Sequence, residues 1–405
     1  MCYKHYNANW ALLGAAGVGV ITALSGFAVP LQVAGVVSDI FIRLLQFLSL
    51  PLLFFALVST LSGLDNWREL ATLGRQILKY TLFTTYIAAL IGLLFLIILE
   101  PQVTHEFQEA VILPEITHNS YWQFLWKIIP NNFFQAFVEN NVMGVAFIGI
   151  LLGLSILKLD EKQKETCKEL FSGLFSALLN MAQFIIALMP LGVWAFVTLL
   201  VQETLVKPEQ FQILMLYTAC VLGANVVQGM VVLPLLLKSK GISPSRIFMG
   251  VLPALTTAFF TKSSSATLPI TLKCLKERLR VDAKTANTVT PLCTVVNMNG
   301  CAAFIVITVL FVSMHAGIHF SAPEMLLWTV MATVAAIGNA GIPMGCYFLT
   351  SAFLVSMNVP LTVLGWILPI YVIIDMVETA LNVWSDVCIT SIIGAQRSQV
   401  PCPIL

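Results

Sequence analysis

The chain has 405 residues, 58% of them hydrophobic and only 10% charged, with 21 Lys and Arg against 20 Asp and Glu. Ordinary soluble domains carry about 25% charged residues, so this composition excludes a soluble globular protein and points to a polytopic protein whose solvent is the lipid bilayer. A net charge of +1 supplies no field to gather nucleic acid, which is excluded as a partner.

In chain order, apolar stretches of about 20 residues, the length that crosses a bilayer, occupy 10–29, 36–64, 77–99, 142–159, 170–201 and 211–237. The first is too long for a signal-peptide core of ~7–15 residues and reads as a membrane helix. The longest break in apolar character runs from 101 to 140, with one amphipathic piece at 121–129. Four further apolar stretches, 247–272, 285–314, 325–357 and 361–395, are interrupted by Pro, Gly, Ser and Asn. Nine cysteines without a Cys-x-x-Cys pair lie mostly inside apolar runs and read as small core residues, with no disulfide or zinc framework. His315 and His319 fall in an external loop and lack a third metal ligand.

Cytoplasmic loops carry the excess of Lys and Arg. Arg68, Arg75 and Lys79, then Lys158, Lys162, Lys164 and Lys168, then Lys238, Lys240 and Arg246 fall in alternate loops, which puts the amino terminus in the cytoplasm. If 247–272 crossed the bilayer, the most basic loop, with Lys273, Lys276, Arg278, Arg280 and Lys284, would be external. A re-entrant hairpin removes the conflict. Its centre, Thr261-Lys262-Ser263-Ser264-Ser265, is too polar for lipid and must face protein or a wet cavity. The stretch 325–357, centred on Gly338-Asn339-Ala340-Gly341-Ile342-Pro343, reads as a second hairpin, from outside. The order hairpin, helix, hairpin, helix suggests an inverted repeat with a site between broken helices.

Asp375, Glu378 and Asp386 lie in the last apolar segment, where each charge costs at least ~2.5 kcal/mol near the bilayer centre. At 100° per residue, Asp375, Thr379, Asn382 and Asp386 form one stripe, with Glu378 about 60° to its side. Two carboxylates with Asn and Thr on one face suit a cation or an ammonium group. Asn297-Met298-Asn299-Gly300 interrupts the preceding helix, and an unwound turn there exposes carbonyls suited to a hard cation, while helix amino termini at hairpin tips suit a carboxylate. An intramembrane aspartyl protease is excluded because Asp375 and Asp386 lie roughly 16 Å apart along one helix, and Ser263 to Ser265 have no membrane His to activate them. An ion channel is the alternative of another class, separable by conductance without saturation or exchange.

Leu50-Pro51-Leu52-Leu53-Phe54-Phe55, Ile129-Pro130-Asn131-Asn132, Ser263-Ser264-Ser265-Ala266-Thr267-Leu268-Pro269-Ile270-Thr271, Asn297-Met298-Asn299-Gly300, Gly341-Ile342-Pro343 and the Asp375 stripe, in this order, resemble the dicarboxylate/amino acid:cation symporter family, which includes the excitatory amino acid transporters. The resemblance covers nearly the whole chain. It implies an all-α membrane protein of eight transmembrane helices and two re-entrant hairpins, working as an elevator in a homotrimer in the cell (inner) membrane, with both termini cytoplasmic. It also implies a scaffold at 1–76 and 101–205, a transport core at 77–100 and 209–395, and a tail at 396–405. By the same resemblance, Ser263, Ser264, Asn382 and the Ile342 backbone hold a substrate α-carboxylate, Asp375 holds the α-ammonium, and Cys301, Glu378 and Thr379 border the side chain. Sodium, alone or with protons, is the coupling ion: Asp386 with carbonyls near Cys293, Asn297 and Asn382 in one site, Thr84, Thr85, Asn297 and Asn299 in a second, and carbonyls of Met298, Ala336, Ile337 and Asn339 in a third. Lys262 falls where relatives place an Arg that pairs with the last helix.

The departures concern selectivity and coupling. Glu378 stands where acidic-substrate members have a clamping Arg, and Cys301 where an assisting Thr is found. Reversing that charge disfavours a glutamate, aspartate or dicarboxylate substrate. Lys262 as the partner of Glu378 leaves a neutral pocket for a small neutral amino acid, the favoured reading; Lys262 on Asp375 leaves Glu378 for a basic side chain or a coupling proton. Asn299 replaces a common Asp, Thr81 a common aromatic, and Met344 and Cys346 replace lid glycines, which stiffens or narrows the gate.

The topology is testable at Lys276. A cysteine introduced there, compared with the unmodified chain, is expected to react with an impermeant maleimide only after lysis; labelling from outside intact cells means that 247–272 crosses the membrane.

Overall fold

The computed structural model describes residues 2–63, 67–100, 129–206, 208–337, 339 and 344–397, without the side chains of 2–10, 45 and 67–73. The expected amphipathic piece at 121–129 lies almost wholly outside them, as do Ile342 and the tail beyond 397.

The described elements are all helical. They are α1 (Cys2–Ser25), α2 (Ala28–Ser62), α3 (Trp67–Leu99), the short α4 (Gln135–Val138), α5 (Val142–Ile156), α6 (Glu161–Ala187), α7 (Met189–Val206) and α8 (Glu209–Ser239). Then follow α9 (Pro244–Thr261), α10 (Ser264–Lys273), α11 (Ala283–Val296), α12 (Asn299–His315), α13 (Ala322–Ile337), α14 (Gly345–Ser356) and α15 (Thr362–Arg397). Seven stretches among the described residues, counting α11 and α12 as one, are long and apolar enough to cross a membrane. The expected single stretch 170–201 divides into α6 and α7 at Leu188, because Pro190 has no N–H to continue the ladder across the junction. Gly26, at φ +68°, makes the tight α1–α2 turn in the left-handed region that glycine adopts without strain.

The core is built around α12. Its residues Asn299 to Ser313 are all buried, and α3, α8, α13, α14 and α15 pack on it. A helix apolar all round needs such enclosure. Tyr217 and Phe311 stack with ring centroids 4.7 Å apart, and the Tyr217 hydroxyl meets Thr308 Oγ1 at 2.7 Å. On the other side α2 packs against α5, α6 and α7. Outward-facing Leu13, Ile21, Phe27, Ile98, Phe184 and Met230 are each more than half exposed, an apolar surface that lipid covers at little cost.

Over 247–272, α9 and α10 are joined at Lys262 and Ser263 and pack against each other and against α15. At 325–357, α13 and α14 both pack on α12. His315 is corrected from an external loop to the buried last residue of α12, against Phe311 and Trp366.

One approach between helices has no slack. A Cβ on Gly300 would lie 2.9 Å from the Glu378 Cα, so α12 and α15 touch backbone to backbone. Gly300→Ala is expected to destabilise the detergent-purified protein by about 1–3 kcal/mol through overpacking, read as a lowered melting temperature; an unchanged one refutes the contact.

Candidate functional site

Two interruptions of helical backbone build the site. At the first, α9 stops at Lys262, which is left-handed with φ 54°, and extended Ser263 caps α10 by accepting from the Ala266 amide at 3.2 Å. The remaining free N–H groups of α10 face outward from the tip as an anion-binding end. At the second, Asn297 and Met298 leave helical geometry, with ψ of 80° and 69°. Asn in an apolar run diverts the backbone because its amide competes for the same bonds. Asp375, Glu378, Thr379, Asn382 and Asp386 of α15 face these breaks, all buried.

A cavity of about 230 Å³, its mouth included, is lined by Lys262, Ser264, Met298, Cys301, Asn339, Asp375, Glu378, Thr379 and Asn382. Every substrate residue expected from the sequence is therefore at one pocket, except Ile342, which lies outside the described residues, and Ser263, which sits beside it as the cap of α10. Met298 and Asn339 border the same cavity. Asn382 Oδ1 accepts from the Gly300 amide at 2.9 Å, which pins the start of α12 to α15. Lys262 is the cation that acts on Asp375, and the backbone N–H of Met344 faces the same carboxylate. Among the described residues no cation pairs with Glu378; Tyr371 faces it, yet neither its carboxylate oxygens nor the Tyr371 hydroxyl closes a hydrogen bond. Lys262 lines the same cavity as both Asp375 and Glu378.

The reading of all cysteines as inert core residues is also corrected. Cys301 of α12 and Cys346 of α14, 45 residues apart, are joined sulfur to sulfur with Cα atoms 5.4 Å apart. Sequence reasoning missed the pair because no local spacing marks it. Met344, just before α14, is left-handed at φ 60°, the conformation that a lid glycine adopts freely.

Next to the pocket, α3, α8, α12 and α15 share a buried polar network. Asn297 Nδ2 donates to Asp386 Oδ1 and to Ser385 Oγ, both at 2.9 Å. Asn299 Nδ2 reaches Asn297 Oδ1 at 2.8 Å and Ser385 Oγ at 2.9 Å, and Gln228 Nε2 donates to Asn299 Oδ1 at 2.6 Å and to the Thr84 carbonyl at 3.0 Å. Thr84 Oγ1 lies 3.3 Å from Asn297 Oδ1.

The sequence matches the model of the sodium:dicarboxylate symporter family over residues 9–396. The chain belongs to this family. It is similar to excitatory amino acid transporter 3 of Mus musculus, 25% identical over 88% of this chain and 78% of the relative, and to that of Homo sapiens, 24% identical over 95% and 85%. Neutral amino acid transporter B(0) of Rattus norvegicus is 25% identical over 92% of this chain and 76% of its own.

The symporter's network fits its family's ion. Thr81 Oγ1, Thr85 Oγ1 and Gln228 Oε1 are buried oxygens without partners, hard donors of the kind sodium takes and thiophilic metals do not. Asp386 supplies the formal charge. Of the residues expected by carbonyl, Cys293 already accepts from the Asn297 amide at 2.7 Å and Ala336 from Asn339 at 3.1 Å, while Ile337 ends α13. Gln228 and Ser385 went unread in the sequence. Gln228 opens a π-helical turn, 228–232, inside α8, a distortion common at functional sites, and the only signal for it was a Gln in an apolar run.

Removing the one formal charge should cost the symporter its ion. Asp386→Asn is expected to abolish the thermal stabilisation by sodium, about 2.7 kcal/mol at one hundred times the dissociation constant; sodium stabilising mutant and parent equally refutes the assignment.

Proposed function

We propose that this symporter carries small neutral amino acids, coupled to sodium. The observation that carries the reading is the side-chain end of the cavity. Glu378 stands there uncompensated, and Cys301, Cys346 and Asn339 fill the space in front of it: Asn339 Nδ2 lies 2.9 Å from Cys301 Sγ and 3.3 Å from Cys346 Sγ. An acidic side chain meets a carboxyl group where it needs a fork of donors. A short uncharged side chain makes no demand on Glu378 for a counter-charge.

In this reading the α-ammonium joins Asp375, drawing it from Lys262, and the α-carboxylate meets the amino terminus of α10 at Ser263 and Ser264, with Asn382 and the Ile342 backbone alongside. Thr379 and Cys301 border the side chain. Sodium sits with Asp386 and Asn297; with Thr84, Thr85 and Asn299; and near Met298, Ala336, Ile337 and Asn339. Glu378 is neutral during transport, since an isolated buried carboxylate is too costly to keep. Because Lys262 serves Asp375, a second reading has Glu378 carry a coupling proton. The elevator trimer, with α2 and its neighbours as scaffold, α3 and α8 to α15 as transport core, α13–α14 as lid, and both termini in the cytoplasm, belongs to the same proposal.

The test is counterflow in proteoliposomes with alanine, serine, glutamate and lysine as separate probes. Alanine and serine are expected to exchange in a sodium-dependent way, and Glu378→Arg should raise glutamate exchange relative to alanine at least about tenfold by supplying the missing fork. Tight glutamate exchange with rejection of alanine by the unmodified protein overturns the selectivity.

A further inference from the structure

The junction between α12, α14 and α15 gathers, at the side-chain end of the cavity, a donor set that could hold a metal ion. Cys301 and Cys346 are each 2% exposed, and Glu378 1%. One sulfur from each cysteine and one Glu378 oxygen lie within 4.8 Å of one another. Both Glu378 oxygens lack a hydrogen-bond partner, as does Asn339 Oδ1. The two ends of an amide have nearly the same shape and are told apart by their hydrogen bonds, so a half-turn of Asn339 brings its unpartnered oxygen to the two sulfurs that its nitrogen now meets. Two sulfurs, a carboxylate and an amide oxygen then converge on one point from four places in the chain.

The geometry points to a site for a thiophilic divalent cation of the zinc class, held by Cys301, Cys346 and Glu378 with Asn339 as fourth ligand, which fastens the lid helix α14 to α12 and α15 and arrests transport. Thiolates select zinc or cadmium over sodium, and four ligands of this kind suit tetrahedral coordination. Binding requires the reduced pair: each thiol and the neutral Glu378 carboxyl give a proton to solvent, so one ion displaces three protons. The joined form of the pair does not bind it. An ion here satisfies two orphaned oxygens at once, one of Glu378 and that of Asn339. The site rests on the geometry of these side chains; the arrest rests on the proposed role of α13–α14 as lid.

The test uses the full chain, purified in detergent and reduced, with cadmium and then zinc as probes. Cadmium is expected to produce its ultraviolet thiolate charge-transfer band at one ion per chain, displaced by zinc and absent in Cys301→Ser and in Cys346→Ser. Glu378→Gln, close in shape, should weaken binding at least about tenfold, since outer-shell changes already cost 10–100-fold. In the unmodified protein, cadmium should shield Cys301 and Cys346 from alkylation in peptide mapping, a readout that needs no variant to fold. A band that survives both serine substitutions, unshielded cysteines, or a pair that stays joined under reductant overturns the site. Zinc should also stop alanine counterflow, and reductant with chelator restore it. Binding with undiminished counterflow overturns the arrest alone, whereas failure of alanine, with the band intact, strikes the transport reading and leaves the metal site.

Discussion

A helix broken inside an apolar protein must have its backbone and its breaking residues satisfied by other buried groups, because water is absent. Here that constraint falls on the turn at Asn297 and Met298, and α15 answers it. Asn382 takes the Gly300 amide, Asp386 and Ser385 take the Asn297 amide, and Asn299 reaches Ser385. Those contacts cost α15 its apolar character along one face and bring α3 and α8 in through Thr84 and Gln228. Cavity and polar network are two sides of one repair.

The same logic sets the electrostatics. Lys262 sits where α9 ends in a left-handed residue, so its position follows from the turn. Glu378, three residues along α15 from Asp375, has α12 backbone against its own Cα and both carboxylate oxygens without a hydrogen-bond partner.

Much of this was legible in the chain. The stripe of Asp375, Thr379, Asn382 and Asp386 marked the polar face of α15, and the Asn297 interruption marked the unwound turn, because polar groups in a lipid-solvated segment leave few alternatives. What escaped depends on three-dimensional neighbours. The join of Cys301 to Cys346 spans 45 residues, and the division of 170–201 at Leu188 was masked by continuous hydrophobicity. Gln228 and Ser385 are polar letters whose partners sit on other helices.

The Asn299 amide has two hydrogens and three acceptors within reach: Asn297 Oδ1 at 2.8 Å, Ser385 Oγ at 2.9 Å and Thr84 Oγ1 at 3.4 Å. A donor with a spare acceptor can release one oxygen to an arriving ion and take it back when the ion leaves. Asp386 keeps its Asn297 bond throughout, while Thr81 Oγ1, Thr85 Oγ1 and Gln228 Oε1 are the buried oxygens with acceptor capacity to spare.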